Sequence, residues 1–331
     1  MSIRHTPAVA VAAGTAFELL ARLAAASRTD PSELPPAVAD ALERVGDTTG
    51  ESWLNLLGVP LDAGPPYDAV RLVESLRSLE PTELRLHLLG RYAWSWCTLA
   101  GIEDIESAAA GDRGAVARLL AHPRYYAGLA RESLTTILGV DPAETRERIV
   151  AAAEAGASAL LTHDTARELA EAGQTAEAAL ADASLADAIE RLAGGYRYVP
   201  ELEAERVVLV PHLEPRLSLV LAQHRSSRVV AYRVAADRAS EERLVAIGRA
   251  LADPKRVEIL ALVGRGIGRS SALVEATGLT RSTVHHHLAL LREAGLVALE
   301  GNARAYTYVP RREAAEDAAA LLAGLIEMEE D

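Results

Sequence analysis

Seven consecutive residues, Thr280-Arg281-Ser282-Thr283-Val284-His285-His286, carry three hydroxyls, a guanidinium and two imidazoles at the opening of a helical pattern. Such groups donate and accept hydrogen bonds from short side chains. At a helix N-terminus, which adds free amides and partial positive charge, they suit contact with base edges and phosphates in a nucleic-acid groove. The run His285-His286-His287 also raises metal binding. Neighbouring helical residues diverge by about 100°, however, and helical ligand pairs need i, i+3 or i, i+4 spacing. Groove contact or packing is therefore the reading of that run, with His287 turned towards the core. Two other clusters, His163-Asp164 and His212-Leu213-Glu214, suggest metal-assisted hydrolysis but lack a recognised spacing. No nucleophile motif or glycine-rich phosphate loop accompanies them. Neither a metal nor a cofactor is expected, and Cys97, the single cysteine, reads as a small core side chain.

The elements that must position Thr280–His286 are legible on both sides. Val284, Leu288 and Leu291 fall on one face of the helix RSTVHHHLALLREAG, opposite the polar positions. Thr280 is its predicted N-cap, and Gly295 its end. Before it lies a short helix, SSALVEATG, opened by Ser270-Ser271 and stopped at Gly278. Asp253-Pro254 supplies a cap and a first-turn proline for KRVEILALV, and EERLVAIGRALA forms a helix ahead of that. Two strands, LVALE and ARAYTYV, follow around a turn at Gly301-Asn302.

Three motifs in order, ALADPKRVEIL, GLTRSTVHHHLALLREAGLV and the strand pair, resemble the ArsR-type winged helix family. The resemblance implies that Arg281, Ser282, Thr283, His285 and His286, with Ser271 and Thr280 beside them, face double-stranded DNA. It implies that Asn302 and Arg304 occupy the wing tip, where an arginine can enter a minor groove. It further implies a homodimer built partly from the helices at 241–252 and 313–329. In the final helix Leu321, Leu322, Leu325 and Ile326 would make an apolar strip. The chain departs from the metal-sensing members: SSALVEATG carries no cysteine and the last helix no histidine, so metal sensing is not implied.

Charge is distributed in keeping with this. The 331-residue chain has a net charge of −13, yet residues 255–312 hold nine Lys/Arg against four Asp/Glu, while 313–331 hold seven acids and no base. One basic segment in an acidic chain is what phosphate contact at one place requires.

The remaining two-thirds reads as helix after helix, rich in Ala and Leu, up to about Leu192. In PTELRLHLLGRYAWSWCTLA, Leu84, Leu88, Tyr92 and Trp96 recur every four residues as one stripe. Asp141-Pro142 opens another helix. Val-rich segments at about 196–234 read as three or four strands, the last two joined by a tight turn near Ser226-Ser227. The expected fold is mainly α: a large helical domain with a small β segment over 1–237, then a winged helix-turn-helix over 238–331. The N-terminal stretch imitates a leader peptide but runs into FELLARLAAAS, which looks amphipathic. No apolar run approaches the ~18 residues of a membrane span, and a cytoplasmic location is expected.

Trp53, Tyr92, Trp94, Trp96, Tyr125 and Tyr126 stand out in the helical region. They read either as an aromatic pocket for a small-molecule effector or as ordinary core. The expectation for the whole is a sequence-specific repressor with a sensing or dimerisation domain. The alternative is a hydrolase-like enzyme fused to a winged helix used for protein contact.

Overall fold

The computed structural model describes residues 7–201, 203–234, 240–301, 306–311, 316–320 and 322–323. It divides into two units, residues 1–178 with 202–233, and residues 179–201 with 234–331. The sequence places a single boundary near Asp237. The structure instead assigns 179–201 to the second unit, because the first of the segments read as N-terminal strands pairs with the wing.

The first unit is built around the helix Thr15–Ala26, ten of whose twelve residues are buried. That helix is not amphipathic: its alanines let neighbours approach on almost every side, and even Glu18 is buried. Glu18 is held by Arg22 Nε at 2.5 Å and accepts from the Leu213 amide at 2.7 Å. The helix Pro142–Ala159, capped by the Asp141 carboxylate on the Glu144 amide, packs on Thr15–Ala26, Pro36–Val45, Ala69–Ser78 and Pro81–Leu88. Arg85 is fully buried and donates to Thr145 Oγ1 and to the carbonyls of Ile137 and Val140. Those carbonyls end the helix Ala130–Leu138, whose negative dipole end offsets the buried cation.

Among the described residues, five strands precede the winged helix: β1 (Ala8–Val11), β2 (Tyr196–Tyr198), β3 (Arg206–His212), β4 (Leu219–His224) and β5 (Ser227–Arg233). Four form one sheet in the order β1-β3-β5-β4, parallel except for the β4–β5 hairpin, whose turn lies at Arg225-Ser226. The leader-like Ala/Val stretch is therefore β1. Its parallel pairing to β3 leaves no turn in the sequence to announce it. Val208, Val210, Val229 and Ala231 join the sheet to the helical core.

The four-residue stripe from Leu84 to Trp96 does not run along one helix. Leu84 and Leu88 are buried in the helix Pro81–Leu88, which stops, and a separate helix spans Trp94–Ala100. The break is at Gly90, whose φ is +67° and where a Cβ would meet Trp96 Cδ1 at 2.3 Å.

In the second unit the helices Ser240–Leu251, Pro254–Gly264, Ser270–Thr277 and Arg281–Glu293 are followed by β6 (Val297–Gly301) and β7 (Tyr306–Pro310). Asp253 caps its helix by accepting from the Lys255 amide at 2.7 Å. Ile259, Val263, Leu273, Val284, Leu288, Leu291 and Val297 form the core. The Tyr308 amide donates to Gly268 O at 2.9 Å, and a Cβ on Gly268 would sit 2.0 Å from Tyr308 O. Glycine is required there for the β7 edge to reach the loop before the third helix. The three-stranded sheet has the order β2-β6-β7. Among the described residues, no helix is long and apolar enough to cross a membrane.

Two buried histidines of the first unit give a pH dependence. His87 stacks on His224 with centroids 5.6 Å apart, and burial, then the neighbouring imidazole, push its pKa down to about 4. His212 is 1% exposed with neither ring nitrogen hydrogen-bonded, and burial, then Arg233, push it to about 4. The unfolded chain takes protons near the ordinary value of 6.5 that the folded unit refuses. Stability is therefore fully present above that pH and falls as pH drops towards 4. Urea midpoints read by tryptophan fluorescence, whose three reporters all lie in this unit, should decline over that interval. They should decline less steeply in His212→Leu, and equal slopes for variant and parent would contradict this account.

Candidate nucleic-acid interface

The helix Arg281–Glu293 is fixed by its apolar stripe. Val284, Leu288 and Leu291 are fully buried against Ile259, Val263 and Leu273, so the opposite face must point outward. Arg281, Ser282 and His286 are exposed, and Thr283 and His285 are half-buried. Ser271, in the first turn of the preceding helix, is exposed as well.

Thr280 caps the helix by accepting from the Thr283 amide at 3.2 Å. Its hydroxyl also lies 3.0 Å from Ser282 Oγ and 2.8 Å from Thr283 Oγ1. Three hydroxyls thus share one hydrogen-bond cluster at the tip, and any of them can turn a donor or acceptor outward. The amides of Arg281 and Ser282 precede the first helical hydrogen bond, as at every helix start. The arrangement can hold an anion and read groups in a groove at the same place.

The three histidines diverge. His286 faces solvent, while His287 is buried. Burial and then the Arg281 charge lower the His285 pKa, so its imidazole is neutral at pH 7 and both donates and accepts. His287 is also lowered, by burial first, against the opposing pull of Asp253. Among the described residues, no group of three or more His, Cys, Asp or Glu could hold a metal ion. Asn302 and Arg304, expected at the wing tip, lie outside the described residues.

The six aromatic residues of the first unit do not line one site. Trp96, Tyr125 and Tyr126 form a packed cluster, with Trp96 5.7 Å from each tyrosine ring and the tyrosines 5.2 Å apart. The hydroxyls of Tyr125 and Tyr126 are spent on the carbonyls of Leu89 and Leu88. Trp53 is fully buried elsewhere and donates to Ser27 Oγ at 3.1 Å. Tyr92 belongs to a different group, with Arg225 over its ring at 4.3 Å and His87 and His224 against its edges. Trp94 is exposed. The open clefts of about 310 and 360 Å³ on this unit run along the helix Pro142–Ala159 and are lined chiefly by Arg and Glu, without aromatics.

Sequence reasoning missed β2 as part of the second unit. Its one local signal is the Gly194-Gly195 pair followed by alternating tyrosines, which says strand without naming the partner.

The family model described as bacterial regulatory protein, arsR family, matches residues 253–298, which include the capped helix and its supporting core. The HTH-type transcriptional regulator YgaV of Escherichia coli is 35% identical over 77 residues, 23% of this chain and 78% of YgaV. The chain belongs to the arsR family. The HTH-type transcriptional regulator CmtR of Mycobacterium tuberculosis, and that of Mycobacterium bovis, are each 43% identical over 68 residues, 20% of this chain. The chain spans 58% of the length of these CmtR relatives. No solved structure matches the chain. These similarities concern the C-terminal part of the chain.

The cap gives a local prediction for this arsR-type helix. Thr280→Ala removes the acceptor for the Thr283 amide and should cost about 1 kcal/mol. Amide exchange should rise at Ser282 and Thr283 while that of the helix Pro254–Gly264 stays unchanged. Unaltered exchange at Thr283 would show that the hydroxyl does not hold the tip.

Proposed function

We propose that the protein is a sequence-specific transcriptional repressor that binds double-stranded DNA as a homodimer in the cytoplasm. The observation that carries this reading is the outward tip of the helix Arg281–Glu293. Its Thr280, Arg281, Ser282, Thr283, His285 and His286 surround free amides, while the stripe beneath is locked into the core. In this reading Ser282 and His286 face base edges in a major groove. Ser271 and Arg281 bind phosphate, and Asn302 and Arg304 follow the wing into the adjoining minor groove.

One helix covers few base pairs, so a twofold pair of heads reading an inverted repeat supplies the missing discrimination. Support for the dimer comes from exposed apolar side chains on the two flanking helices, Val245 and Leu251 on one and Leu322 on the other. An ion pair between Arg243 and Asp317 at 3.6 Å ties those helices together. The first unit serves as the sensing or dimerisation domain.

Enrichment from a random DNA pool tests the function. The chain should select an inverted repeat, and with roughly 6–10 phosphate contacts its affinity should fall about 10³–10⁵-fold between 50 and 200 mM salt. Ser282→Ala and His286→Ala should relax base preference, each at about 1–3 kcal/mol, whereas Arg304→Ala should weaken binding with the major-groove preference intact. No selected sequence, or binding indifferent to salt, would sink the reading.

A further inference from the structure

The wing hairpin has a third strand that comes from outside the winged helix. Residues 179–201 belong to the second unit but are flanked on both sides, at 178 and 202, by chain of the first. This excursion forms the helix Leu185–Leu192, capped by Ser184, and then β2. β2 lies parallel to β6, on the edge away from β7, with Tyr196 opposite Leu299, Arg197 opposite Glu300 and Tyr198 opposite Gly301.

The contact converges on the base of the wing. Gly301, the last residue of β6 before the tip, accepts at its carbonyl from the Val199 amide at 3.0 Å and from the Tyr196 hydroxyl at 3.1 Å. The Leu299 amide donates to Gly195 O at 2.7 Å. Tyr196 and Tyr198 are buried. A tyrosine hydroxyl spent inside a sheet on the carbonyl where the wing begins fixes the direction in which the hairpin leaves. Without β2, the β6 edge would present unpaired groups and the wing would be a two-stranded ribbon, which is marginal alone.

From this geometry we propose that β2 is the positioning strand of the wing, with Tyr196 its key residue, and that through β2 the first unit sets the affinity for DNA. The inference rests on the DNA-reading function proposed above. β2 is only three residues long, and in this proposal it moves between two arrangements, docked on β6 and released. Both ends of the excursion are covalently anchored in the first unit, so a rearrangement there that shifts either anchor changes the balance between those states. A strand of this size suits an allosteric coupling of roughly 5–150-fold in affinity. Arg197, tied to Glu190 at 2.9 Å, makes the helix and strand of the excursion move together.

The test uses the full chain and the DNA it selects from a random pool. Tyr196→Phe keeps the ring and removes the bond to Gly301 O; Val199→Pro removes the second donor to the same carbonyl. Each should raise amide exchange at Leu299, weaken binding roughly 5–20-fold and lose hydroxyl-radical protection of the sugars beneath the wing. The base preference selected by the Arg281–Glu293 helix should be unchanged, and this split separates positioning from general loss of folded protein, which would lower all protections together. A disulfide between Arg197→Cys and Glu300→Cys, in a Cys97→Ser background, should restore the protection lost in Val199→Pro. If the parent binds DNA and both variants match it in affinity and footprint, the inference is wrong while the function stands. If the parent selects no DNA, the function itself falls and takes this inference with it.

Discussion

The burial of Val284, Leu288 and Leu291 against Ile259, Val263 and Leu273 is the constraint on which the reading surface depends. A helix has one rotational setting once such a stripe is buried, because successive residues advance by about 100°. Rotating it by a single residue, about 100°, would turn Leu288 or Leu291 outward and bring His285 or Thr283 towards the core in their place. The direction of the polar tip is thereby set by packing beneath it, before its own hydrogen bonds are counted. Thr280 completes the aim by fixing where the first turn begins, and Gly268 lets β7 close over the other side of the same core. Packing sets direction, and polar chemistry is added to the face that packing leaves free.

The winged helix was legible in the sequence because each of its signals is local. Asp253-Pro254, Gly278 and Thr280 mark element ends by backbone chemistry within a few residues, and the 3.6-residue period gives the buried face. Even the separation of His286 from His287 follows from helical geometry. The first unit was less legible for physical reasons that can be named. β1 pairs in parallel with a strand almost two hundred residues later, so no turn betrays it. The helix Thr15–Ala26 has no polar face, since alanine fits against almost any neighbour, and a pattern search built on amphipathic surfaces misreads it. The apparent stripe from Leu84 to Trp96 was interrupted by one left-handed glycine, which periodicity alone passes over. The aromatic residues share a composition signal but not a location, because large side chains are needed wherever a helical core is thick.

β2 shows the limit of sequence reading most sharply. The alternation in YRY is enough to say strand, but three residues contain no information about which edge they will complete. That edge is decided by the unpaired side of β6, created more than ninety residues later in the chain. A domain boundary read from the hinge-like AADRASEE, near Asp237, falls after all the Val-rich strands, since they look like one group. The structure separates the first of them from the rest, so the two units are joined by three chain crossings instead of one. A single linker transmits little beyond tethering, whereas an excursion pinned at both ends can be pulled.

Charge adds a second level of direction to the one that packing provides. The chain outside residues 255–312 is strongly acidic, and the basic balance is confined to the segment holding the capped helix and the wing strands. Within about a Debye length, roughly 8 Å at physiological salt, phosphate attracts only that segment and is repelled by the rest. Approach in a wrong orientation is therefore disfavoured before any hydrogen bond forms, and the productive orientation is enriched. In the proposed function, acidity in the remainder would also keep the large first unit from competing as a non-specific DNA surface. A protein basic throughout would bind DNA more tightly everywhere and distinguish less. If the proposed function holds, the acidic body contributes to specificity through what it prevents, while the hydroxyl, imidazole and guanidinium groups at the tip act through what they bind.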